Sequence, residues 1–149
     1  MFVKVRTLVP DRSVITISFI LAPGAFITSL NHYLKSRKSE LDWKWFASTL
    51  NPYYEGNNTL QMINDDRFIL PTLDNWTFGL DNTGNILDPL NLKHLIEQFQ
   101  QSIDLVTADG SIDCQTDPAR QEELVGKLHM AETISALGTL KVGGHFVIK

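Results

Sequence analysis

Asp109 and Lys149 are the residues whose types and settings point to proton chemistry. Asp109 ends an apolar run, Ile103 to Ala108, and has a glycine beside it. Packing rarely needs a carboxylate there; it attracts a cation or orients a lysine. Asp-Gly is also a common turn pair, so a solvated turn residue is the plain alternative, as it is for nearby Asp113. Lys149 closes the stretch Gly144-His145-Phe146-Val147-Ile148, and by itself reads as a solvated lysine. A third position is Gly24, in Ala22-Pro23-Gly24-Ala25, between an apolar run and a helical pattern. Glycine lets backbone approach a ligand, and the helix N-terminus behind it offers free N–H groups to an anion such as a carboxylate. A simple strand-to-helix turn accounts for the same residues equally well.

The elements that must position these groups alternate along the chain. Val14 to Leu21 is an almost continuous apolar run rich in β-branched residues, as a buried parallel strand requires. Phe26, Leu30, Tyr33 and Leu34 follow with helical spacing, closed by Lys35, Arg37 and Lys38 at the negative end of the helix. Trp43 to Leu50 reads as a second strand, and Asn51 to Asn58 as a loop broken by Pro52 and Gly56. From Gln61 to Asp88, short apolar runs mix with turn signals. Leu92, Leu95, Ile96 and Phe99 mark the next helix, and Ile103 to Ala108 the next strand. Asp117 reads as an N-cap and Pro118 as a first helical residue. Leu124, Leu128, Ala131, Ile134 and Leu137 form one face of the helix that follows. Gly143-Gly144 ends the connection, and His145 to Lys149 is a last strand. This order predicts an α/β fold with a parallel sheet covered on both faces. Ligands of such sheets lie beyond the carboxyl ends of the strands, where Gly24, Asp109 and Lys149 all fall.

Composition narrows the classes. The chain has 149 residues, enough for one domain, and a net charge of −4, which argues against a free-standing nucleic-acid binder. Its one cysteine, Cys114, allows no internal disulfide, so a reducing compartment fits best. The four His lie far apart and show no metal-ligand spacing. No apolar stretch is long enough to span a membrane. Lys4 and Arg6 before the first apolar run give only a superficial likeness to a secretion signal, since Asp11 and Arg12 abut that run.

Three segments together are more specific than any one of these features. Ala-Pro-Gly-Ala-Phe (22–26), Leu-Val-Thr-Ala-Asp-Gly-Ser-Ile-Asp-Cys (105–114) and Gly-Gly-His-Phe-Val-Ile-Lys (143–149) resemble the FtsJ/RrmJ-type RNA 2′-O-methyltransferases. Ser-Leu-Asn-His-Tyr-Leu-Lys-Ser (29–36), Thr-Leu-Asn-Pro-Tyr-Tyr-Glu-Gly-Asn (49–57), Asp-Asp-Arg-Phe-Ile (65–69) and Phe-Gly-Leu-Asp-Asn-Thr-Gly-Asn-Ile (78–86) are similar to the eukaryotic cap-specific mRNA branch, above all the enzymes acting on the second transcribed nucleotide.

The resemblance implies a Rossmann-like methyltransferase sheet with S-adenosyl-L-methionine as cofactor and capped mRNA as substrate. It implies no metal, no membrane, and a nuclear or cytoplasmic site of action; it names no protein partner. Gly24 would lie against the methionine part of the cofactor, with Trp43 a further contact, and Asn85 in the loop reaching the adenine side. Asp109 would match the aspartate and Lys149 the second lysine of a Lys-Asp-Lys-Glu active-site set, that lysine serving as base toward the ribose 2′-hydroxyl. Residues 1–21 form an atypical N-terminal segment plus first strand, and 22–149 a partial methyltransferase domain. The first lysine and the glutamate of the set find no match, Leu21 stands where relatives usually have glutamate, and Asn85 where they usually have aspartate. The expectation is a truncated fragment, inactive alone, with a sheet incomplete on its C-terminal side. The alternative is a degenerate, non-catalytic module that binds cofactor, RNA or a protein. Tyr53, Tyr54, Trp76 and Phe78 are candidates to stack on bases, with core packing the leading role for most of them. Lys35, Arg37, Lys38 and Lys44 are candidates for phosphate contact, or simply a solvated helix end.

Overall fold

The computed structural model describes residues 13–20, 24–57, 67–110 and 121–149. Strand β1 is Val14–Ile20, followed by α1, Ala25–Ser36, and β2, Trp43–Ser48. A short 3-10 helix, Leu70–Asn75, leads into β3, Trp76–Thr77. Then come α2, Pro89–Phe99, β4, Ile103–Asp109, α3, Gln121–Thr139, and β5, Leu140–Ile148. The five strands lie in the order β3-β2-β1-β4-β5, and every pairing is parallel. The chain therefore winds outward from β1 in one direction, returns, and winds outward in the other. The reversal lies between β1 and β4, and the crevice above such a switch point is where open α/β sheets bind ligands.

Strand alternation divides the core into two layers. Ile17, Phe19, Val106 and Ala108 point to one face, where Leu95 and Phe99 of α2 and Ala136 of α3 cover them. Ile17 and Phe19 are fully buried; each such side chain stabilises the fold by about 1.5–3 kcal/mol of transfer free energy. On the other face Ala47 packs with Ile27 of α1, Ile69 and Trp76, joined by Trp45 and Phe68. Trp45 stacks on Phe68 with ring centres 5.4 Å apart, and Trp76 meets both edge-on. Helix α2 starts as its sequence dictates: Asp88 accepts the Leu90 N–H at 2.8 Å and Pro89 needs no donor.

Two expectations are corrected. Helix α3 does not bury the face containing Ile134 and Leu137; both are exposed, as is Met130. It buries Ala131, Glu132, Ser135, Ala136 and Thr139 instead. Ser135 and Thr139 bond back to the carbonyls one turn earlier, so their hydroxyls are satisfied where the helix is packed. Second, Gly143 and Gly144 do not end a connection. They lie inside β5, which starts at Leu140, and accommodate a register irregularity against Ile103–Leu105; Gly143 has φ 82°. The stretch Gln61 to Asp88, whose pattern predicts no element, contains a paired strand, β3, too short to show a period. The predicted cap at Asp117–Pro118 lies outside the described residues.

Candidate active site

Gly24 sits at the N-cap of α1 with φ 80° and ψ 37°, the left-handed conformation that glycine takes without strain. It is buried, and its carbonyl accepts the Thr28 N–H at 3.0 Å. Among the described residues no side chain caps α1, which leaves first-turn N–H groups available to a ligand. Across that point, Ile20 of β1 pairs with Asp109, the last residue of β4.

Lys149 reaches Asp109 through the sheet. Ile148 pairs with Ala108, and the Lys149 N–H continues the ladder by donating to the Ala108 carbonyl at 3.0 Å. Lys149 Nζ then lies 3.0 Å from Asp109 Oδ1 and 3.4 Å from Oδ2. The lysine side chain is 72% exposed and the aspartate 28%. An ion pair so open to water contributes little to stability, so folding alone does not demand it. Gly24, Asp109 and Lys149 thus share one end of the sheet, as their sequence positions predict.

Asn85 shares that end. The turn Gly79–Asn85 is docked on the exit of β2: Asn51 N–H donates to the Thr83 carbonyl and Asn51 Nδ2 to the Asn82 carbonyl, both at 2.8 Å. Asn57 Nδ2 adds a second donor to the Thr83 carbonyl at 2.8 Å. Asn85 Oδ1 accepts the Leu87 N–H at 3.0 Å.

Trp43 is not brought to this site. It opens β2 and pairs with Val14, at the amino end of the sheet, while Gly24 and Asp109 follow strand exits. Its indole N–H donates to Thr16 Oγ1 at 3.0 Å, and its ring packs on the second core layer. The direction of β2 excludes the predicted cofactor contact. Lys35, Arg37, Lys38 and Lys44 fall at the same remote end, between the close of α1 and the start of β2. Trp76 is a core residue whose Nε1 donates to Thr72 Oγ1. Phe78 packs against the same layer, and Tyr53 and Tyr54 are exposed on the loop after β2. An open cleft of about 680 Å³ lies between β3 and α2, lined among others by Phe78 and His94, and includes none of Gly24, Asp109 and Lys149.

Sequence reasoning missed Glu132. This α3 residue is fully buried behind the Asp109–Gly110 corner, and its Oε1 accepts the Gly110 N–H at 3.0 Å. Among the described residues nothing bonds its Oε2. Burial pushes its carboxyl up to about 7; the negative charge of Asp109 adds to this, and the Gly110 bond opposes it. A side chain at Gly110 would crowd that carboxyl and the Leu128 side chain. The available signal was its place, one turn from Leu128 and one from Ala136, on a helix face of small residues.

Among the described residues, no group of three or more His, Cys, Asp or Glu is arranged to hold a metal, and no helix is long and apolar enough to cross a membrane.

The FtsJ-like methyltransferase family model matches residues 3–149. This chain belongs to the FtsJ-like methyltransferase family. The parallel sheet with its switch point is the Rossmann-like arrangement expected of such a methyltransferase. Among its relatives are proteins named cap-specific mRNA (nucleoside-2′-O-)-methyltransferase 2. The one from Drosophila melanogaster is 59% identical over 134 residues, covering 86% of this chain and 19% of the relative. That from Mus musculus is 53% identical over 133 residues, with 86% and 17% covered. That from Danio rerio is 50% identical over 152 residues, with 95% and 20% covered. The chain thus spans about a fifth of the length of the curated relatives it matches.

Proposed function

We propose that this chain carries the cofactor-binding and base-bearing part of a methyltransferase that modifies the ribose 2′-hydroxyl of capped mRNA, at the second transcribed nucleotide. The observation that carries the reading is the Lys149–Asp109 pair, set across the switch point from the Gly24 turn. The relatives' printed names support the substrate.

The residues present fit S-adenosyl-L-methionine. A buried left-handed glycine and an uncapped helix N-terminus form a cradle for a carboxylate at the place where such sheets bind ligands. The cofactor, when bound, supplies an electrophilic methyl group on a sulfonium. Asp109 fixes Lys149 Nζ in direction. Nζ, once deprotonated, takes the proton of the 2′-hydroxyl as that oxygen attacks. Glu132 holds the corner that carries Asp109. Positioned proton transfer of this kind contributes about 10²–10⁴-fold to rate.

Two measurements test the reading. Isothermal calorimetry should show binding of S-adenosyl-L-methionine to the chain, weakened about 10-fold or more by Gly24→Asp, which puts a negative side chain on a left-handed residue facing the cradle. Secondly, this chain can replace the matching segment of the Drosophila relative. The chimera should methylate the second nucleotide of capped RNA, and Lys149→Met in it should lower turnover by about 10²-fold or more. Binding without transfer in a folded chimera would instead mark the chain as a non-catalytic module.

A further inference from the structure

The turn Gly79–Asn85 carries the residue that the resemblance assigns to the adenine side, yet its tip, residues 80–82, is exposed; Leu80 is 63% exposed. One buried side chain determines its shape. Asn91, in the first turn of α2, is 3% exposed. Its Oδ1 accepts the Leu80 N–H at 2.8 Å and the Asp81 N–H at 3.4 Å. Its Nδ2 donates to Asp81 Oδ1 at 2.8 Å, to the Asn85 carbonyl at 3.1 Å and to Thr83 Oγ1 at 3.2 Å. Four of the seven residues of the turn are held by a single carboxamide, with both acceptor and donor sides in use. The neighbours are shaped around it. Gly79 has φ 79°, and a Cβ there would stand 2.5 Å from Asn91 Oδ1. Asp81 is held in its ionised form, its carboxyl lowered by the Thr83 N–H first and by the Asn91 amide next.

The product of this clamp is the presentation of Asn85. Its Oδ1 is occupied by the Leu87 N–H, while among the described residues nothing bonds its Nδ2. The turn therefore offers an amide donor at the carboxyl end of the sheet, suited to a ring nitrogen of a purine.

We propose that Asn91 is a positioning residue for the cofactor: without touching it, Asn91 fixes the turn that presents Asn85 to the adenine. This rests on the reading of the chain as a cofactor-binding segment. S-Adenosyl-L-methionine affinity then depends on α2, a helix that contributes no group to the methyl-transfer centre.

The test compares calorimetric affinities of the full chain for S-adenosyl-L-methionine. Asn91→Ala removes both halves of the clamp. Asn91→Asp keeps its size and acceptor but sets a second carboxylate against Asp81, and so serves if the alanine variant fails to fold. Either should weaken binding by about 10-fold, the scale of losing buried hydrogen bonds. Amide exchange at Leu80 should speed up while the amides of β1 and β4 stay protected. Ile17→Val, a core change that lowers stability without reaching the turn, should leave affinity unchanged. Unchanged affinity in folded Asn91 variants, or an equal loss in Ile17→Val, overturns the role of Asn91. A folded unaltered chain that binds no cofactor overturns the cofactor reading itself, and with it this role.

Discussion

Replacing Glu132 with Gln is expected to abolish most of a pH-dependent instability and to make the folded chain about 3 kcal/mol more stable at pH 8. The carboxyl is pushed from an ordinary value of 4.5 to about 7, mainly by burial. At roughly 1.4 kcal/mol per pH unit, that difference gives the figure stated. The sign follows from proton counts. Below the unfolded value both states hold the proton and nothing is lost. Between about 4.5 and 7 the unfolded chain releases it while the folded chain retains it, so stability falls as pH rises. Above 7 the full cost stands. Gln keeps an acceptor for the Gly110 N–H and has no proton to lose. Denaturant titrations of both chains at intervals from pH 5 to pH 8 read the effect as a difference, in which every other titrating group cancels. The gap should be under about 1 kcal/mol at pH 5 and widen to about 3 kcal/mol by pH 8. A difference independent of pH would show that Glu132 is ionised throughout, its Oε2 satisfied by some other group.

Glu132 also shows where a sequence stops being legible. β1 and β4 are buried on both faces, so Val14–Ile20 and Ile103–Asp109 stand out as apolar runs, and their exits locate Gly24 and Asp109. Asp109 and Lys149 are recognisable by type and place. Their meeting is not, because it needs the parallel β4–β5 ladder that sets Ile148 beside Ala108, forty positions away in sequence. The Trp43 assignment failed on direction: a residue at the start of a parallel strand lies a full strand length from the ligand end, whatever motif it belongs to. Helix α3 failed on size. Periodicity weights bulky residues, whereas this helix approaches the sheet through Ala131, Ser135 and Ala136, and leaves Ile134 and Leu137 outside. A glutamate among those small residues looks like a surface charge until the packing is known. β3, with two residues, offers no period at all.

Gly84→Ala is expected to destabilise the chain by about 3 kcal/mol or more, and Gly143→Ala by only about 1 kcal/mol, though both glycines have positive φ. The backbone strain is common to the two, with φ 73° at Gly84 and 82° at Gly143, and sets the smaller figure. Their surroundings differ. A Cβ on Gly143 meets nothing within 4 Å, since it lies at an open irregularity of β5. A Cβ on Gly84 runs into the Thr49 carbonyl and lies 2.8 Å from the Asn51 N–H nitrogen, all main-chain atoms that cannot rotate away. Relief requires the turn to lift off β2, which takes the Thr83 and Asn82 carbonyls away from the main-chain N–H and Nδ2 of buried Asn51. Denaturation midpoints of the two variants separate strain from crowding, and equal losses would show that the turn yields freely. Because the lifted segment carries Asn85, Gly84→Ala should also weaken cofactor binding, whereas Gly143→Ala should leave it intact. The demand for glycine at position 84 is thus a demand of the binding end of the sheet, made through the backbone of its neighbour.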